Sequence, residues 1–193
     1  MRTPLKQAAS AAFLLLVVMT ARADAPKDEP KASCAPLWQK TVARLQDDRP
    51  QNLCQFSGKV ALVVNTASYC GFTNQYEGLE KIHARYQGRG FVVLGFPSND
   101  FGQQEPGNSK QIADFCFNTY GVKFPMFAKS TVSGSAVSPL YKELAAQSGT
   151  PPRWNFHKYL VDRKGTVVAS FSGEMLPEDP RLVASIEKTL RSP

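Results

Sequence analysis

The chain has 193 residues, the length of one domain, and can bury a sizeable core without a disulfide staple. Apolar residues make up 42%, charged residues 20% and aromatics 10%, which excludes a disordered tail and a collagen-like repeat. The formal net charge of +7 comes from 23 Lys+Arg against 16 Asp+Glu, but Arg2, Lys6 and Arg22 lie in the first 23 positions and no basic run follows, so no nucleic-acid partner is expected.

Between Lys6 and Arg22 runs an uncharged stretch whose apolar centre is Ala11 to Met19. It is shorter than the ~20 apolar residues of a spanning helix. A basic start, a short apolar core and then Ala21-Arg22-Ala23 read as a secretory leader with an A-x-A cleavage site. The expected organisation is a signal peptide over 1–23, cleaved near Ala23, an N-terminal extension over 24–52 and a folded domain over 53–193. A periplasmic or otherwise exported location follows, with no stable membrane insertion after cleavage. Ala25 to Lys31 is rich in Pro, Lys, Asp and Glu and reads as a mobile mature N-terminus.

Leu37 to Leu45 fits a short amphipathic helix. Lys59 to Asn65 is a near-continuous apolar run, which suits a strand covered on both faces. Asn74 can cap the next helix, with Glu77 as its capping-box partner. That helix carries Leu79, Ile82 and Tyr86 at helical spacing and ends near Gly88 and Gly90. Phe91 to Phe96 is a second buried strand, followed by a long loop from Pro97 to Gly107. Ser109 to Tyr120 reads as a helix closed by Gly121, and Pro139 to Gln147 as another. Two strands, His157 to Val161 and Thr166 to Phe171, are joined by the hairpin signal Asp162-Arg163-Lys164-Gly165. A last helix covers roughly Asp179 to Leu190, with Leu182, Ile186 and Leu190 on one face. The order β-α-β-α, then β-β-α, is that of an α/β thioredoxin-like sandwich, a central mixed β-sheet flanked by helices.

Four cysteines, Cys34, Cys54, Cys70 and Cys116, allow three connectivities, and spacing alone does not choose among them. No C-x-x-C occurs and the only histidines are His83 and His157, so no metal site and no cofactor are expected. Both histidines read as packing or surface residues. Cys70 follows the first central strand and precedes the first long helix. Ligands of open α/β sheets bind at the carboxyl ends of strands, and a thiol near a helix N-terminus is favoured as thiolate. Position alone also allows a buried structural cysteine.

Three segments then point to a family. Asn65-Thr66-Ala67-Ser68-Tyr69-Cys70-Gly71-Phe72-Thr73 resembles the active-site signature of the glutathione peroxidases. Gly95-Phe96-Pro97-Ser98-Asn99-Asp100-Phe101-Gly102-Gln103-Gln104-Glu105-Pro106-Gly107 resembles their second signature, and Trp154-Asn155-Phe156-His157-Lys158-Tyr159-Leu160 their third. The resemblance runs from about Leu53 to the C-terminus. It implies a peroxidatic Cys70, in place of the selenocysteine of some relatives, with Gln104, Trp154 and Asn155 completing a catalytic tetrad. The chemistry suits those roles: a peroxide needs a thiolate nucleophile, donors for the second oxygen and a proton for the leaving group. The carboxamides of Gln104 and Asn155 and the indole N–H of Trp154 donate without ionising.

The same resemblance implies that Cys116 resolves a Cys70 sulfenic acid as a disulfide, since thioredoxin-dependent relatives carry a cysteine in this segment, upstream of a Phe-Pro such as Phe124-Pro125. Two Cα atoms must approach within ~7 Å for that bridge, so the Cys116 helix is expected to shift or unwind. Cys34 and Cys54 fall outside the tetrad and read as a structural disulfide of an exported protein. Ser98 stands where relatives often carry Cys. The segment from Ala145 to Arg153 is short, without the longer insertion and the glutathione-gripping arginines of tetrameric relatives. A monomer is therefore expected, with a hydroperoxide (hydrogen peroxide, organic or lipid) as substrate and a thioredoxin-like protein, rather than glutathione, as the favoured reductant. Three rivals share the fold. A thiol-disulfide oxidoreductase would carry C-x-x-C where Thr73 stands, and a peroxiredoxin would carry P-x-x-x-T-x-x-C. A non-catalytic redox relay would oxidise once and pass its disulfide on.

Overall fold

The structure is a computed structural model that describes residues 34–192. The signal peptide expected over 1–23, the expected mobile segment Ala25 to Lys31 and the first part of the expected 24–52 extension lie outside the described residues. The first element is a 3-10 turn, Pro36–Trp38, followed by β1 (Thr41–Ala43) and β2 (Pro50–Asn52), which pair antiparallel with Val42 opposite Gln51. The helix expected over Leu37 to Leu45 does not form. The β-branched Thr41 and Val42 favour extended backbone, and Ala43 and Leu45 find distant partners: Ala128 N–H donates to Ala43 O, and Leu45 N–H to Met126 O.

Next come β3 (Val60–Thr66), α1 (Gln75–Tyr86), β4 (Phe91–Pro97), α2 (Ser109–Tyr120), α3 (Pro139–Ser148), β5 (Lys158–Val161), β6 (Val167–Phe171) and α4 (Pro180–Arg191). β3 and β4 run parallel, Val60 beside Phe91 through Thr66 beside Pro97. β5 pairs antiparallel on the other side of β3, and β6 antiparallel to β5, giving the order β4-β3-β5-β6. Every residue of β3 and β4 is buried. The two-residue period of a strand sends them to two cores. Val60, Leu62 and Val64 meet Leu79 and Ile82 of α1 and Leu182 and Ile186 of α4 on one face. Ala61 and Val63 meet Leu140, Tyr141 and Leu144 of α3, with Leu37 and Trp38, on the other.

Helix ends follow local chemistry with one correction. Asn108 and Gln111 close a reciprocal capping box at the start of α2, and Gly121, at φ 61°, ends it in the left-handed conformation. Asn74, expected to cap α1 with Glu77, makes no side-chain cap and already has helical angles (φ −58°, ψ −17°). The chain turns earlier: Thr73 Oγ1 accepts the Cys70 N–H (3.0 Å) and donates toward the Ala67 and Cys70 carbonyls (2.9 and 2.8 Å). The Thr73 hydroxyl thus closes the turn that precedes α1, and no side chain caps the helix itself. At β4, Gly95 hydrogen-bonds the chain from Pro125 to Phe127, and a Cβ at Gly95 would collide with Met126 Sδ.

Cys34 and Cys54 are joined as a disulfide, Cα–Cα 5.2 Å, across a sequence separation of 20. Closing a loop of that length stabilises the fold by about 3 kcal/mol on the chain-entropy account. The double variant Cys34→Ala, Cys54→Ala is expected to lose about that much in urea unfolding while retaining the two main cores. An unchanged midpoint would mean that the loop is already constrained in the unfolded chain.

Candidate active site

The residues singled out in the sequence converge at the carboxyl ends of β3 and β4. Cys70 lies in the turn between β3 and α1 and is 9% exposed. The Phe72 N–H points at its Sγ (3.4 Å). Gln104 lies in the loop after β4, where Gly102 (φ 64°) and Gln103 (φ 52°) take left-handed angles that turn the chain back. The loops are stitched together: Tyr69 N–H donates to Gln104 O (3.0 Å). Asn155, fully buried, donates its Nδ2 to Gln104 Oε1 (2.9 Å) and toward Phe101 O (3.4 Å). Trp154 stays 43% exposed, its ring 5.9 Å from that of Phe101. With its carbonyl held by Asn155, Gln104 keeps its NH2 as the free donor. The cluster thus combines one thiol with neutral N–H donors, a set suited to stabilising an oxyanion.

A cavity of about 600 Å³ opens beside it, bounded by Phe72, Arg153, Trp154, His157, Ser170 and Gly173. His157 Nε2 meets Ser170 Oγ (2.8 Å), and burial, helped by the neighbouring Lys158 charge, pushes the imidazole down to about 4. His83 lies on α1, its Nδ1 accepting the Val93 N–H (3.4 Å), so both histidines are packed within the fold.

Cys116 sits on α2, 2% exposed, with a free thiol, as is Cys70. Burial pushes that thiol up to about 11, partly offset by the Tyr76 hydroxyl. Of the twelve residues of α2 only Ile112 and Cys116 are buried. The helix meets the Cys70 turn through Phe115, whose ring stacks on Tyr69 at 6.3 Å.

This set of elements decides the family. A profile described as glutathione peroxidase matches residues 38–145. The hydroperoxy fatty acid reductase gpx1 of Synechocystis is 48% identical over 158 residues, 77% of this chain and 92% of that protein. The chain belongs to the glutathione peroxidase family. Within it, the thioredoxin/glutathione peroxidase BtuE of Escherichia coli is 42% identical over 174 residues, 78% of this chain and 95% of that protein. A crystal structure of Trgpx in apo form superposes with a TM-score of 0.65 at 34% identity, covering 81% of this chain and 97% of that one. A thiol:disulfide interchange protein of Chlorobium tepidum, at 16% identity and TM-score 0.61, shares the thioredoxin-like fold.

Several residues that build this glutathione peroxidase site carry no role in the sequence reading. Asn65 Nδ2 donates to Trp154 O (3.1 Å) and its backbone carbonyl accepts the Phe156 N–H (2.7 Å), so one residue of β3 brackets the Trp154-Asn155 pair. A polar residue inside an apolar strand was its signal. Gly173 lies so close to Asn155 O that a Cβ there would clash. Glu105, next to Gln104, is fully buried. Its N–H is held by Asn99 Oδ1 (2.8 Å) and its carbonyl by Lys129 Nζ (3.1 Å), while neither carboxyl oxygen closes a hydrogen bond. Burial pushes this carboxyl up to about 7, with Ser68 and Lys129 offsetting part of the effect.

The folded protein therefore holds the Glu105 proton from about pH 4.5 to about 7, where the unfolded chain has released it. Stability from this group is full below pH 4.5 and falls as pH rises through 7, by roughly 3 kcal/mol in all. His157 acts in the opposite direction between about 4 and 6.5, so the difference between two proteins is the useful measure. Glu105→Gln is expected to remove the decline: its urea midpoint minus that of the parent should rise from pH 5 to pH 8. A flat difference would place the carboxyl in contact with solvent.

Proposed function

We propose that the chain is an exported, monomeric thiol peroxidase that reduces hydrogen peroxide and organic or lipid hydroperoxides. The observation that carries this reading is the hydrogen-bonded line from the Cys70 turn through Gln104 to Asn155, with Trp154 at the mouth of the cavity. Cys70 attacks one peroxide oxygen as thiolate. The O–O bond breaks, the alkoxide or hydroxide leaves with a proton, and Cys70 becomes a sulfenic acid. Gln104 and Trp154 donate to the thiolate and to the developing oxyanion, and Asn155 holds the Gln104 carboxamide so that its NH2 is free to do so. Cys116 then attacks the sulfenic sulfur, water leaves, and a Cys70–Cys116 disulfide remains. A dithiol reductant of the thioredoxin type takes up the disulfide and restores both thiols.

Family membership and the names of the relatives, which include both a hydroperoxy fatty acid reductase and a thioredoxin/glutathione peroxidase, support the activity and both reductant classes. The leader-like start and the Cys34–Cys54 disulfide support an oxidising compartment.

A disulfide map tests the cycle. The reduced protein is treated with one equivalent of peroxide, digested and analysed by mass spectrometry. A Cys70–Cys116 peptide is the expected product. Sulfenic or sulfinic Cys70 with free Cys116 would mean a one-cysteine enzyme and make glutathione the reductant. An unoxidised Cys70 would remove the peroxidase reading and leave a non-catalytic relay.

A further inference from the structure

Lys158 is the first residue of β5 and is fully buried. Lysine is almost never found there without a carboxylate partner. Among the described residues Lys158 has none. Its Nζ donates to Phe156 O (2.7 Å) and to Gln75 Oε1 (2.8 Å) instead. Burial pushes the amine down to about 7. An apolar side chain at this point of the sheet would fill the same volume without that desolvation cost. The placement of its two acceptors says what the lysine achieves.

Phe156 follows the Trp154-Asn155 pair and holds a left-handed backbone angle, φ 62°, which is strained for a residue with a Cβ. Gln75 is the first residue of α1, directly after the Cys70 turn. Gln75 also donates its Nε2 to Gly173 O (2.6 Å), and Gly173 packs against Asn155 O. The amine therefore clamps the strained peptide that aims Trp154 and Asn155 onto the helix that begins behind Cys70. Asn65 holds the same segment from the other side through Trp154 O and the Phe156 N–H.

We propose that Lys158 is a positioning residue for peroxide reduction: through Phe156 O and Gln75 it fixes Trp154 and Asn155 relative to Cys70. This rests on the peroxidase reading above. It separates two effects that a purely structural residue would move together. Misplacing reacting groups by about 1 Å costs up to about a hundredfold in rate. Removing the amine relieves its desolvation but leaves the Phe156 and Gln75 oxygens without their donor, so the two effects on stability oppose each other.

The test is Lys158→Met, with each half-reaction followed separately. The expected result is a fall of about tenfold or more in the rate constant for Cys70 oxidation by hydrogen peroxide. The rate constant for reduction of the oxidised protein by thioredoxin should stay unchanged, and a cooperative thermal transition shows that the variant is folded. In the resting reduced protein, acrylamide should quench Trp154 fluorescence more strongly in the variant than in the parent, with Trp154→Phe assigning the signal against the buried Trp38. This readout needs no turnover. If the parent Cys70 does not react with peroxide, the functional reading fails, while the clamp is still judged by the quenching. An unchanged oxidation rate, a parallel fall in both half-reactions, or unchanged quenching overturns the proposal. Gln75→Met cuts the clamp from the helix side while leaving Lys158 on Phe156 O. A smaller loss confined to the oxidation step supports the proposal, and no loss overturns it, also where Lys158→Met does not fold.

Discussion

Cys70→Ser is expected to abolish peroxide turnover, by roughly a thousandfold or more, because an alcohol ionises far less readily than a thiol and is a poor nucleophile toward a peroxide oxygen. The loss should be chemical and not structural. Serine matches cysteine in shape to within a fraction of an ångström, and the turn around position 70 is held by backbone and by Thr73: the hydroxyl of Thr73 accepts the Cys70 N–H and donates toward the Ala67 and Cys70 carbonyls. The thermal midpoint should therefore change little, and Trp154, outside the turn, should keep its fluorescence. Consumption of hydrogen peroxide and of an alkyl hydroperoxide, each driven by a thioredoxin system, provides the measurement. A variant that keeps a tenth of the parent rate would place the nucleophile elsewhere, Cys116 being the remaining free thiol among the described residues.

Cys116→Ser is expected to separate the cycle into its halves. The first equivalent of peroxide should be consumed as fast as in the parent, after which turnover with thioredoxin should fall about a hundredfold or more, with sulfenic and then sulfinic acid accumulating at Cys70. The physical reason is that Cys116 cannot act from its resting place. Its thiol is 2% exposed and held up to about 11, so at neutral pH it is neither ionised nor accessible. Ile112 and Cys116 are the only fully buried residues of α2, with Ala113, Phe115 and Tyr120 packed against the core beside them, so bringing the sulfur to the Cys70 turn, which the helix already meets through Phe115 and Tyr69, requires the helix to open locally. A stopped-flow burst of one peroxide per protein, followed by a near-flat steady state, is the expected trace. Full steady-state activity would remove Cys116 from the cycle.

Most of the scaffold was legible because its signals are local or fully buried. β3 and β4 are covered on both faces and so read as apolar runs, while α2 falls between an Asn-capped start and a left-handed Gly121. Leu37 to Leu45 misled because its apolar spacing suits a helix, whereas its partners, Met126 and Ala128, lie far along the chain. Asn74 misled because the Thr73 hydroxyl had already closed the turn. At the site, the cysteine and its three companions stand in motifs that a reader can find. Glu105 and Lys158 do not, because charged residue types read as solvent-facing until the fold shows them fully buried. Gly173 is equally silent, since its requirement comes from the approach of Asn155 O, more than fifteen residues away in sequence.

The close approach of Met126 to Gly95 has a consequence for a protein that meets oxidants. A thioether is itself oxidised by peroxides, to a bulkier and polar sulfoxide. Met126 is 2% exposed, and its sulfur occupies the room left by the missing Cβ of Gly95, beside the backbone that hydrogen-bonds Pro125 and Phe127 to β4. An oxygen added to this sulfur would have to be accommodated where it lies against Gly95. A Met126 sulfoxide would thus act first on the pairing of Pro125 and Phe127 with β4, and the burial of the sulfur limits how readily it is oxidised.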